Sequence, residues 1–151
     1  VVNSTATIKT RLDGDAYLLA MLAEYSPAGG RSSPAIFNDA APDDFIFGPD
    51  NPAPCIVIAA PSSDEGGGTL TETTRLIQQE VRVYAYRGMS TAVLDTAARR
   101  IRDLFHLQPA SLSVSGGRAV ISTASGPVEA PTTDTSVSGR RVTLRLELQE
   151  N

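Results

Sequence analysis

The groups in this chain that could move a proton, attack a carbon or hold a metal are few. His106 is the only histidine and Cys55 the only cysteine, so no nitrogen and sulfur ligand set exists for a transition metal. Cys55 lies in the apolar run Pro54-Cys55-Ile56-Val57-Ile58 and reads as a small core residue rather than a reactive thiol. His106 follows Phe105 at the end of a helical pattern, where an imidazole serves as a capping donor or as a cation favoured by the helix dipole. Asp13 and Asp15 flank Gly14 and suit capping better than a catalytic pair. Asp43, Asp44 and Asp50 lack calcium-loop spacing, its closing glutamate and a nearby histidine, and read as solvated loop charges. Gly66-Gly67-Gly68 could cradle a phosphate, but a strand follows, no lysine succeeds the glycines, and Asp64 and Glu65 precede them; charge and geometry both disfavour it. Tyr84 and Tyr86 lie two apart on one strand face and could stack bases. Without a basic groove around them, an interface or a half-buried sheet face is the better reading. No Gly-x-Ser-x-Gly elbow or Walker loop occurs, so the expectation is a protein without catalytic, cofactor or metal residues.

The element that must organise the rest is a strand from Thr74 to Tyr86, a tight turn at Arg87-Gly88, and a helix from Ser90 to about Leu107. Ile77, Val81, Val83 and Ala85 alternate with Gln78, Glu80, Arg82 and Tyr84, giving one apolar and one polar face. Ser90 is the expected cap of the helix, whose Val93, Leu94, Ala97, Ile101, Leu104 and Phe105 recur at three- and four-residue steps. That stripe supplies a cover for the apolar face. A strand of this length reaches roughly 44 Å, against a diameter of about 40 Å for a compact chain of this size. Part of it is therefore expected to project, with open backbone groups that an assembly would satisfy.

Ahead of this unit, Ser4 or Thr5 is the expected cap of a helix carrying Ile8 and Leu12, and Asp13-Gly14-Asp15 interrupts it. The pattern fits one helix strained at Gly14 or two short ones, with Asp13 as the second cap. Ser26 to Gly30 opens a loop, a short strand follows at about Ala35 to Asn38, and the prolines from Asp39 to Pro54 dictate an ordered loop pinned by Phe45 and Phe47, or an arm. Cys55 to Ala60 is a continuous apolar run of the kind found in a central strand. Ser62 to Leu70 reads as a flexible loop. Beyond the main helix come a turn at Gly116-Gly117, a strand from Arg118 to Thr123, a break at Ser125-Gly126-Pro127, a polar loop to Thr135, and a final strand with Val142, Leu144, Leu146 and Leu148 inward. Its mixed-sign outward face suits pairing with the polar face of Val81 to Tyr86. The result is an α+β fold: one domain over 1–151, a mostly antiparallel sheet of about four to five strands with two main helices packed on one face, and long loops at about 27–34, 40–54 and 61–73.

With 151 residues a single core can form without disulfides or metals. The longest apolar run is far short of a bilayer span, and no charged-then-apolar segment opens the chain, so a soluble, unsecreted protein is expected. A net charge of -4 without a block of Lys or Arg gives no footprint for gripping nucleic acid.

The order of elements resembles the tail-terminator (tail-completion) proteins of long-tailed bacteriophages and related gene transfer agents, from about Thr7 to Leu148. The similarity rests on the Leu-rich helix end Tyr17-Leu18-Leu19-Ala20-Met21-Leu22, the strand Ala35-Ile36-Phe37-Asn38-Asp39, and the proline before Cys55-Ile56-Val57-Ile58. It continues through Glu80-Val81-Arg82-Val83-Tyr84-Ala85-Tyr86, the helix with Ala92-Val93-Leu94-Asp95 and Ile101-Arg102-Asp103-Leu104, and the closing Arg141-Val142-Thr143-Leu144-Arg145-Leu146. The Pro-rich loop at Ala40 to Pro54 departs from the pattern. The resemblance implies a non-enzymatic virion protein, assembled in the host cytoplasm, that forms a homo-oligomeric ring, usually a hexamer, on the head-proximal end of the tail. Its partners would be the major tail tube protein and a head-tail connector or neck protein. DNA would pass through the lumen without specific binding, and no membrane would be involved. The candidate tube or subunit contacts are Asp64, Glu65, Gly66, Gly67 and Gly68 in one loop, Phe45 and Phe47 in the other, and Tyr84 and Tyr86 on the strand. The alternatives are a neck or head-to-tail joining protein of the same assembly and a small oligomeric ligand-binding module.

Overall fold

The computed structural model describes residues 2–68, 73–88 and 91–150. Helices α1 (Ser4–Asp13) and α2 (Ala16–Leu19) are followed by strands β1 (Glu24–Tyr25), β2 (Ser33–Pro34), β3 (Ile36–Asn38), β4 (Cys55–Ile58), β5 (Ser63–Gly68) and β6 (Thr73–Tyr86). Helix α3 (Thr91–Phe105), a 3-10 turn at Pro109–Ser111, and strands β7 (Gly117–Glu129) and β8 (Val137–Glu150) complete the chain.

Period-two alternation makes β6 the centre of the sheet. Its buried residues Ile77, Val81, Val83 and Ala85 face the helices, and each such side chain contributes roughly 1.5–3 kcal/mol when fully removed from water. The strand order is β3-β4-β6-β8-β7, with β5 also paired to β6. Every pairing in this sheet is antiparallel except β3 with β4. The α3 stripe of Leu94, Ala97, Ala98, Ile101, Leu104 and Phe105 packs with Ile8 and Leu12 of α1 against Val142, Leu144, Leu146 and Leu148 of β8 in one core. Both main helices thus cover the same face, as the α+β reading expects.

Helix α1 is capped by Asn3, whose side chain accepts the Ala6 N–H at 3.1 Å. Ser4 and Thr5 are not the cap because their hydroxyls turn inward to Gln79. Of the two alternatives at Gly14, the structure has two short helices. The second cap is Asp15 rather than Asp13, with its carboxylate accepting the Leu18 N–H at 3.0 Å; Asp13 instead pairs with Lys9 at 3.0 Å. The Ser90 cap lies outside the described residues.

Further expectations are corrected. The flexible loop at Ser62 to Leu70 is largely strand: β5 pairs with β6 from Ser63↔Gln78 to Gly68↔Thr73, while Thr69 and Leu70 lie outside the described residues. Without β5, the backbone groups of Thr73 to Gln78 on that side would have no partner, and Asp64 locks the ribbon through two hydrogen bonds from Arg75 at 3.0 and 2.9 Å. For the same reason the long strand offers no open edge from Thr73 to Tyr84. It is paired along its whole length by β8 on one side, and by β4 and β5 on the other. The expected break at Ser125-Gly126-Pro127 is a bulge inside β7, which regains register at Val128↔Arg141, and β8 runs from Val137 to Glu150. The loop expected at 27–34 ends in β2, whose partner is β1.

Candidate assembly interface

A sheet with helices on one face must do something with the other. In this chain the two halves of that second face differ. Over β3, β4 and the end of β6, the 40–54 segment folds across it. Phe45 is buried and joins Ala23, Ala35 and Cys55 in a second apolar cluster, with Tyr25, Phe37, Phe47 and Tyr84 packed around it. The rings of Phe37, Phe45 and Phe47 meet edge-on, with both Phe45 contacts at centroid distances of 5.3 Å. The loop is fastened by Tyr25 Oη donating to Asp44 at 2.9 Å and by Asn51 Nδ2 donating to the Ile46 carbonyl at 2.9 Å. The expectation of an ordered loop pinned by two phenylalanines holds. Bonding to Asp44 also raises the Tyr25 phenol above its ordinary value. Beneath the loop, burial pushes the Cys55 thiol up to about 12, which makes it an inert core residue.

The other half, formed by β5, the start of β6, the end of β8 and β7, carries no such cover among the described residues. The register aligns Glu65, Leu76, Glu147 and Ile121 in one row across four strands, and Ser63, Gln78, Arg145 and Thr123 in the next. Leu76 is 51% and Ile121 47% exposed. Together with Gln78, Thr123, Arg145 and Glu147 they line a shallow groove of about 470 Å³. Arg145 has no hydrogen-bond or ion-pair partner among the described residues. Further along the same face, Glu80 bridges Arg82 at 2.9 Å and Arg141 at 3.5 Å, which offsets the like charges that Arg82 and Arg141 bring opposite each other.

The candidate residues from the sequence fall in three places. Phe45, Phe47 and Tyr84 come together in the second cluster; Tyr86 lies two residues beyond Tyr84 on β6, half-buried. Asp64 through Gly68 form β5 at the opposite end of the sheet. Consecutive strand residues point to opposite faces, so Asp64 and Glu65 do not act as one acidic pair. Asp64 is neutralised by Arg75, whose guanidinium it holds above its ordinary value through hydrogen bonding, whereas Glu65 belongs to the open face. His106 is not a capping donor: its Nδ1 accepts the Ala124 N–H at 3.2 Å, tying the end of α3 to β7. The groove residues Leu76 and Ile121 went unread in the sequence. The available signal was an apolar residue at the polar beat of each strand.

No protein-family model matches this sequence, and no curated protein sequence matches it. Among solved structures, a chain described as "Virion of native gene transfer agent (GTA) particle" has the same fold, with a TM-score of 0.69, 17% identity, and coverage of 95% of this chain and 92% of that chain.

Proposed function

We propose that this protein is a structural component of a virion or gene-transfer particle, and that it forms a ring on the head-proximal end of the tail tube. There it ends tube polymerisation and offers the surface to which the head attaches. The observation that carries this reading is the fold shared with a virion chain over almost the full length of both. A likeness confined to one supersecondary unit would carry much less weight.

The side-chain chemistry fits a structural role. Asp15, Asp64, Glu80 and Asp95 are each engaged by an arginine, so these carboxylates hold elements together rather than wait for a substrate. A ring built from this chain would have its open β-face and its loop-covered face available for neighbours above, below or beside it. The net charge of -4 suits a lumen through which DNA slides without being held.

The test is electron microscopy of particles from a producing strain with this gene deleted. Overlong tubes beside tailless heads are the expected result. Tails of normal length detached from full heads would replace the terminator reading with that of a joining protein. Normal particles would overturn both.

A further inference from the structure

The chain presents an apolar knob and an apolar groove at different places on its surface. Ile46 is the most exposed large hydrophobic among the described residues, at 71%. It sits between Phe45 and Phe47, whose rings pack edge-on below it, and its carbonyl is held by Asn51. The loop that carries it is therefore fixed, and its outward side chain is a consequence of burying its two neighbours. The same loop carries Asp43 and Asp50, exposed and without a hydrogen-bond or ion-pair partner among the described residues. The groove on the open half of the sheet has the complementary character. Leu76 and Ile121 are its exposed apolar lining, on either side of Glu147, and Arg145 is an exposed cation with no partner among the described residues.

We propose that the groove between Leu76 and Ile121 is occupied by Ile46 of a second copy of this chain, with Asp50 of that copy meeting Arg145. Knob and groove are different patches, so the contact is heterologous: each copy gives its knob to one neighbour and receives the knob of another, and such contacts form a ring when the rotation between neighbours closes. Glu147, next to Arg145 on the same face, and Glu65, in the row of Leu76, set the direction. They repel an acidic loop that enters shifted by one row, so Arg145 marks the favoured register. This inference rests on the ring reading and adds the residues that join neighbours.

The test uses particles from a strain producing the Ile46→Cys, Ile121→Cys double variant, oxidised mildly and run without reductant. Cys55 is buried and inert, so the native thiol adds no background. The expected result is a ladder of cross-linked chains ending at the ring number, absent from either single variant and from the pair Tyr17→Cys with Ile121→Cys, which places a cysteine at an exposed site on α2, outside the contact. A chain incorporated in particles without a ladder, or with an equal ladder from the Tyr17 pair, overturns this inference and leaves the ring reading standing. Absence of the unsubstituted chain from particles overturns both. In a second measurement, Ile46→Asp lowers incorporation into particles by roughly tenfold, the effect of losing one buried side chain, while its denaturation curve matches that of the parent. Undiminished incorporation counts against the contact.

Discussion

Asp15 and Arg100 meet through two hydrogen bonds, from Nη2 at 2.7 Å and from Nε at 2.9 Å, and the same carboxylate caps α2. The Arg100 guanidinium also lies 5.5 Å from the centroid of the Tyr17 ring. One carboxylate therefore starts a helix and fastens it to α3. Hydrogen bonding from Arg100 is the main reason that its pKa lies below the ordinary 3.8, with burial working in the opposite direction. A folded-state value below the unfolded one means that the stabilisation is complete above pH 3.8 and is lost as the pH falls from there through the folded value. Arg100 keeps 37% of its side chain in water, so the pair itself is discounted to at most about 1 kcal/mol. Loss of the cap adds about 1 kcal/mol. Asp15→Ala should thus lower unfolding free energy by about 2 kcal/mol at neutral pH, and Asp15→Asn, which keeps a capping oxygen, by about half of that. Urea titrations at a series of pH values decide the matter: the variants should lose part of the parent's decline on the acid side, and an unchanged decline would show that the pair carries nothing.

Gln79 is a fully buried polar residue on the apolar face of β6. Its Oε1 accepts from Ser4 Oγ at 2.7 Å, and its Nε2 donates to Thr5 Oγ1 at 2.7 Å and to the Ala59 carbonyl at 2.8 Å. The amide joins the start of α1, the end of β4 and the central strand. Gln79→Ala leaves both a cavity and unpaired polar groups, for a loss of about 3 kcal/mol. Gln79→Met fills the space but still strands the Ala59 carbonyl, so its loss should be about half as large. Denaturant midpoints with unchanged slopes report both values. Equal losses would show that polar satisfaction, not volume, sets the cost at this position.

What could be read from the sequence follows from how local its causes are. The period-two pattern of β6 and the three-and-four spacing of α3 depend only on residues within each element, and both were legible. Phe45 and Phe47 were legible as pins because a proline-rich segment has no other way to be ordered. Asp15 was misread beside Asp13 because the choice is made by Arg100, which lies in a distant helix. Gln79 sat silently in an alternating run, its partners being Ser4, Thr5 and Ala59. The strand at Ser63 to Gly68 was hidden because glycines carry no β-propensity; its pairing is imposed by the bare side of β6 and by the Asp64 to Arg75 bridge. The groove needed the register of three strands before Leu76 and Ile121 could be seen on one face.

Two glycines on opposite flanks of the sheet make contrasting predictions. At Gly66 an added Cβ would meet nothing within 4 Å, whereas at Gly117 it would collide with the Gln149 carbonyl of the adjacent strand. Gly117→Ala must therefore disturb the Gly117↔Glu150 pairing and should lower stability by about 2 kcal/mol. Gly66→Ala removes unfolded-state freedom without a clash and should raise stability by about 0.5 kcal/mol. Thermal unfolding of the two variants separates these outcomes, and equal destabilisation would contradict the open surroundings of Gly66. If Gly66→Ala is stabilising in the isolated chain yet depresses particle assembly, the glycine serves the close approach of another backbone to the outer edge of β5. Unaffected assembly would instead leave Gly66 with no role beyond its pairing to Arg75.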